Sequence, residues 1–194
     1  RSTRSFVRPL IASLGLALAA TTAQAAPAAD IRALAQQEQQ PLLDTLRDLV
    51  QIESGSKDLD GLNQIAARIA AELKQLGGAV DILQTTDIYR LDDTPEKIGP
   101  AVRAVFKGTG SAKIMLIAHM DTVYLKGMLK DQPFRIDGDK AYGLGIADDK
   151  QGVATIIHTV ALLQKLNFKD YGTLTVLIRS EERRVGKECR SRWS

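Results

Sequence analysis

Residues 113–119 read KIMLIAH, an apolar run of strand length with no polar residue between Lys113 and His119. It is too short for a self-supporting helix, and its lack of alternation predicts a strand buried on both faces, as in a parallel sheet. TLTVLI (173–178) is a second such run. Around them lie two strongly amphipathic stretches, LNQIAARIAAELKQLGG (62–78) and QGVATIIHTVALLQKL (151–166). Buried strands alternating with amphipathic helices constrain the chain to a layered α/β domain.

Weaker signals fill in the rest. Residues 30–50 read as helical, with Pro41 placed to open a second helix in its first turn and Leu42, Leu43, Leu46, Leu49 and Val50 forming one apolar stripe. IESGSKDLDG (52–61) reads as a loop, and Gly77-Gly78 as a helix stop. AVDILQ (79–84) is a short strand, and AVRAVFKGTG (101–110) alternates as an edge strand does. FRIDGDKAYG (134–143) is expected to form a hairpin around Asp137-Gly138. There is no internal repeat.

The formal charge of +3 raises the question of a polyanionic partner, but its location answers it. Arg1, Arg4 and Arg8 stand without an acid at one end, and residues 179–194 hold six bases against three acids. The body between is mildly acidic and has no basic stripe with interleaved aromatics, so nucleic acid is not an expected partner. RSTRSFVR, LIASLGLALAA and TTAQA follow the order of a basic region, a short apolar core and a small-x-small cleavage site. Residues 1–25 are therefore expected to be a signal peptide cut after Ala25, which would place the mature chain in the periplasm or outside the cell, with no stable membrane anchor. No cysteine lies between 26 and 178, so disulfides play no part in that body.

Two stretches can carry chemistry. In IAHMDTV a buried strand ends on His119 with Asp121 two residues on, and i and i+2 share a face of an extended strand. Both can point into the mouth at the carboxyl end of the sheet, where open α/β sheets bind ligands. A carboxylate beside a histidine suits metal binding; equally, a strand-end histidine can simply bond a loop acid. The second stretch is YGLGIADDKQG, where Asp148 and Asp149 precede a helix. One carboxylate can bridge two metal ions, or one of the pair can be a plain N-cap.

In order, the chain reads buried strand, HMDTV, an interval of 29 residues from His119 to Asp148, GLGIADDKQG, then helix. This resembles the co-catalytic zinc metallopeptidases, which include aminoacylases, succinyl-diaminopimelate desuccinylases and glutamate carboxypeptidases. HMDTVYLKG, PFRIDGDKAYG, GIADDKQGVATIIHT and DYGTLTVL are most similar to the exported bacterial glutamate carboxypeptidases that hydrolyse folates. The resemblance covers nearly all of residues 30–178 and implies a three-layer α/β/α catalytic domain of which 26–178 is the N-terminal part. It implies that His119 ligates one zinc, that Asp121 supports that histidine and counts among the catalytic residues, and that Asp148 bridges two Zn2+ ions. Asp149 would follow through a cis peptide bond, with Lys150 and Gly152 keeping the pattern. His158, inside the following helix, reads as structural. The implied reaction is metal-assisted amide hydrolysis with a glutamate as general base, by a homodimer acting on folate, an N-acyl amino acid or a peptide with a C-terminal glutamate. An aminoacylase or dipeptidase of the same family is the competing enzyme reading, and a non-catalytic ligand-binding module a further one.

The pattern breaks after Ile178. In the family this strand runs into Asp-Glu-Glu; here Glu181 falls on the Asp, Glu182 on the general base and Arg183 on a zinc ligand. A guanidinium has no lone pair for a cation. The string RSEERRVGKECRSRWS is also what a short-read adapter beginning AGATCGGAAGAGC yields in one frame, since AGA TCG GAA GAG translates to Arg-Ser-Glu-Glu. Residues 179–194 are therefore expected to be adapter read-through, and Glu182 holds its catalytic position by alignment alone. Resequencing that returns Asp-Glu-Glu supports this reading, and independent recovery of the same tail overturns it. The polypeptide as written is expected to fold poorly and to be inactive.

Overall fold

The computed structural model describes residues 28–84 and 96–180. The signal-peptide reading of 1–25 and Glu182 lie outside those residues. Helices α1 (Ala28–Gln37) and α2 (Gln39–Val50) divide residues 30–50 as expected, with Pro41 in the first turn of α2. Helix α3 (Leu59–Gln75) starts at Asp58, whose carboxylate accepts from the Gly61 amide at 3.2 Å. It buries Leu62, Ile65, Ala66, Ile69 and Leu73, the stripe its period requires. Strands β1 (Ala79–Leu83), β2 (Ala101–Lys107), β3 (Lys113–His119) and β6 (Thr173–Arg179) form one mixed sheet in the order β1-β2-β6-β3. Only β3 and β6 run parallel, His119 lying opposite Arg179. Helix α4 (Gln151–Lys165) makes the crossover between them. Strands β4 (Arg135–Asp137) and β5 (Lys140–Tyr142) make the expected hairpin, one residue later than read, with Gly138-Asp139 as the loop.

The core lies on one face of the sheet. Val102, Ala104 and Phe106 of β2 and Leu174, Val176 and Ile178 of β6 meet Leu46, Leu49, Ile69, Leu73, Val153 and Ile157 from the helices. The α/β class is as expected, while the second helical layer of an α/β/α arrangement is not among the described residues. Two strand assignments need correction. Strand β2 is interior, between β1 and β6; its alternation records a sheet covered by helices on one side, not an edge. Strand β3 is the edge of the described sheet, and Met115 and Ile117 are 56% and 55% exposed. Only its C-terminal end, Ala118 and His119, is buried.

His158 is structural, as read. Its Nδ1 bonds Glu38 at 2.8 Å and its Nε2 bonds the Thr45 hydroxyl at 2.9 Å, tying α4 to the α1–α2 junction. Lys165 closes the group by pairing with the other Glu38 oxygen. Burial opposes ionisation of Glu38, but the hydrogen bonds from Lys165 and His158 outweigh it and hold the carboxyl below its ordinary value of 4.5. The unfolded chain therefore binds more protons than the folded one as pH falls through this range. The stability this carboxylate contributes is complete above pH 4.5 and is lost as pH drops through the lower folded-state value. Glu38→Gln is expected to flatten that acid limb, read as denaturant midpoints from pH 7 to 3; an unchanged limb contradicts it.

Candidate metal centre

His119 is the last residue of β3, and Asp121 lies two residues on, beyond the buried Met120. Both side chains are buried, at 7% and 3% exposure. His119 Nδ1 lies 3.1 Å from Asp121 Oδ1 and 3.2 Å from the Asp121 carbonyl. Both partners are acceptors, so Nδ1 carries the hydrogen, which leaves Nε2 turned the other way. Nε2 meets Asp148 Oδ1 at 3.1 Å, across 29 residues of sequence. Unlike its partners, Asp148 is open to solvent, its side chain 68% exposed.

Asp148 reaches this place through a break in the chain path. Residues 146–150 make a tight turn in which Asp148 and Asp149 leave helical angles, at φ −146° and −135°. The Asp148-Asp149 peptide is cis, as the resemblance implied. Helix α4 has Lys150 in the capping position and no side-chain cap. The N-cap reading of the acid pair is therefore not what the geometry gives: Asp148 turns to His119. The Asp149 carboxylate folds over the start of α4, where a Cβ on Gly152 would come within 2.2 Å of its Oδ1. A larger residue there would have to displace that carboxylate.

Lys150 is the largest fully buried side chain among the described residues. Its ammonium donates to the carbonyls of Leu49 at 2.9 Å and Ile52 at 2.7 Å, the C-terminal end of α2. Cations are favoured at that end of a helix. Burial still dominates and pushes the ammonium down to about 8, against a weaker opposing pull from Glu53. Lys150 thus anchors the turn carrying Asp148 to the helix layer.

The loop 52–58, featureless in sequence, supplies three further groups. Ser56 Oγ donates to Asp121 Oδ2 at 2.7 Å. Ser54 Oγ donates to the Met120 carbonyl at 2.7 Å. The Glu53 carboxylate accepts from the amides of Gly127 at 2.8 Å and Leu129 at 3.0 Å, and these bonds, Gly127 first, hold it below its ordinary value. Sequence reasoning missed all three because their partners lie 65 to 76 residues away.

The donor set can be tested against a metal. His119 Nε2 and Asp148 Oδ1 face each other at hydrogen-bond distance, an arrangement that a cation between them, a proton or a metal ion, holds together. In a tetrahedral zinc site with bonds near 2.0–2.1 Å, neighbouring ligand atoms lie roughly 3.3 Å apart, close to the 3.1 Å found. His119 and Asp148 thus fit one edge of a zinc centre, and Asp121 fits the carboxylate that orients a ligating imidazole. No group of three or more metal-holding side chains occurs among the described residues.

A mixed α/β sheet with a histidine–carboxylate pair at the carboxyl end of a parallel strand is the arrangement to compare with known proteins. The sequence model described as Peptidase family M20/M25/M40 matches residues 115–187. It is 42% identical over 174 residues to Carboxypeptidase G2 of Pseudomonas sp. (strain RS-16), which covers 89% of this chain. The chain spans 40% of the length of that relative. Among solved structures, human carnosine dipeptidase 1 matches 79% of this chain and 34% of its own, with TM-score 0.63 and 20% identity. The M20 family metallo-carboxypeptidase Sso-CP2 from Sulfolobus solfataricus matches 73% of this chain and 31% of its own, with TM-score 0.60 and 18% identity. At those identities the two structures speak to the fold alone.

Proposed function

We propose that the full-length protein is an exported zinc-dependent carboxypeptidase that releases a C-terminal glutamate from folate-like substrates. The observation that carries this reading is the His119–Asp121–Asp148 constellation at the end of β3, in a chain 42% identical to Carboxypeptidase G2. His119 and Asp148 would hold metal, with Asp148 as the bridge between two ions. Zinc, when bound, supplies a Lewis acid for the scissile carbonyl and lowers the pKa of a coordinated water.

The chain's own residues set the stage for that chemistry. Asp121 accepts the Nδ1 proton and so aims the Nε2 lone pair at the mouth. Burial of both side chains excludes water from that bond and strengthens it. Asp148 stays exposed, where incoming ligands can meet it. Asp148 faces His119 while Asp149 folds over the start of α4. Glu182 would take the proton of the attacking water and pass it to the leaving amine, a role it holds by alignment alone. The described part of the chain offers two metal donors, whereas a catalytic zinc generally uses three protein ligands.

The test is a substrate panel on the protein expressed from the resequenced locus. Chelator-sensitive release of glutamate from a folate supports the proposal. Chelator-sensitive cleavage of acyl-amino acids or dipeptides alone moves the assignment to an aminoacylase or dipeptidase. Ligand retention without cleavage means a binding module.

A further inference from the structure

We propose that Ser56 is a positioning residue of the metal centre, the outer link of a chain Ser56–Asp121–His119 that fixes the direction of the histidine lone pair. The inference rests on reading His119 as a metal ligand. A carboxylate that orients an imidazole works only if its own torsion is held, because rotation about its last bond swings the accepting oxygen out of the ring plane. Asp121 is held at both oxygens: Oδ1 meets His119 Nδ1 at 3.1 Å and Oδ2 receives Ser56 Oγ at 2.7 Å. The hydroxyl has one proton and a second acceptor in reach, the Thr122 carbonyl at 3.1 Å. The shorter contact goes to the charged acceptor, as charge-assisted bonds do.

Ser56 is itself built into place. The amide of Ser56 donates to the Thr122 carbonyl at 2.9 Å, and the Thr122 amide donates to the Ser54 carbonyl at 2.8 Å. Gly55 and Thr122 pair as a parallel bridge. The approach is so close that a Cβ on Gly55 would lie 2.4 Å from the Tyr124 carbonyl oxygen. Residues 54–56 therefore run as a short strut beside 120–122, and the serine hydroxyl is delivered by backbone rather than by a mobile side chain. A hydroxyl on a bare solvent loop has no need of such support. The loop also donates Ser54 Oγ to the Met120 carbonyl, so Met120 and Thr122, the residues on either side of Asp121, are both braced by it.

The test compares Ser56→Ala, Ser56→Thr and His119→Ala in the full-length protein, reading zinc affinity by competition with a chromogenic chelator and the melting temperature of the metal-free protein. Loss of an outer-shell partner lowers metal affinity about 10–100-fold. Ser56→Ala is expected to weaken zinc binding about tenfold, Ser56→Thr to restore most of it, and the metal-free melting temperature to stay nearly unchanged in both. Zinc affinity within twofold of the parent in Ser56→Ala, with His119→Ala strongly impaired, overturns the role of Ser56 alone. Equal weakening in the alanine and threonine variants assigns Ser56 to packing and also overturns it. Unchanged zinc binding in His119→Ala removes the metal reading on which the proposal stands.

Discussion

His119→Ala in the full-length protein is expected to lower zinc affinity by more than about a hundredfold and to remove hydrolysis with it. The magnitude follows from position. Loss of an outer-shell partner costs about 10–100-fold in affinity or activity, and a residue that donates directly must exceed that ceiling. His119 is fixed by the strand it ends, by Asp121 on one nitrogen and by Asp148 on the other. Alanine there removes no apolar side chain from the buried cluster. The metal-free melting temperature should therefore fall far less than the activity. Zinc content by elemental analysis and hydrolysis rate check the prediction together. Full zinc occupancy with a normal rate would mean that the end of β3 is not the metal centre.

Lys150 makes the second large effect, on stability rather than chemistry. Its ammonium sits about 8 instead of 10.5, a penalty of roughly 3 kcal/mol at neutral pH. Lys150→Met removes that penalty and takes the ammonium from the Leu49 and Ile52 carbonyls, at roughly 1–3 kcal/mol for Ile52; Leu49 keeps the Ile52 amide at 3.3 Å. The two effects nearly cancel, so the methionine variant should stay within about 2 kcal/mol of the parent. Lys150→Ala loses the same bonds and also opens a hole, for which long-to-alanine truncations cost about 2–5 kcal/mol. The alanine variant should thus unfold about 3 kcal/mol more easily than the methionine variant, as read by denaturant titration. Equal stability of the two would show that the stem of Lys150 does not fill the core.

How far this was readable from sequence depends on the range of each interaction. Local signals worked: the stripe from Leu62 to Leu73, the division at α2 and the hairpin after Ile136 are set by neighbours within a few residues. His119 and Asp121 were legible because two residues on a strand share a face, and their bond is observed. Asp148 was legible only through the combined order of motifs, since an acid before a helix is ordinarily a cap. Strand position failed for a physical reason. An apolar run such as KIMLIAH reports what a strand can tolerate, not how many neighbours it has, and β3 proves to be the edge of the described sheet. Likewise the alternation in β2 reports one covered face, which an interior strand shares with an edge. Ser56, Glu53 and the role of Lys150 were invisible because each depends on a contact made across 65 to 101 residues. No local pattern encodes such a contact.

Within the described residues no helix is long and apolar enough to cross a membrane, which leaves the expected export route through residues 1–25 as a proposal of its own. The most direct test of the whole account is one assay: free glutamate released from a folate by the full-length protein, measured before chelation, after chelation and after zinc is returned. The account predicts release, its loss with the chelator, and its recovery with zinc. Release that persists undiminished after the metal is stripped would contradict it.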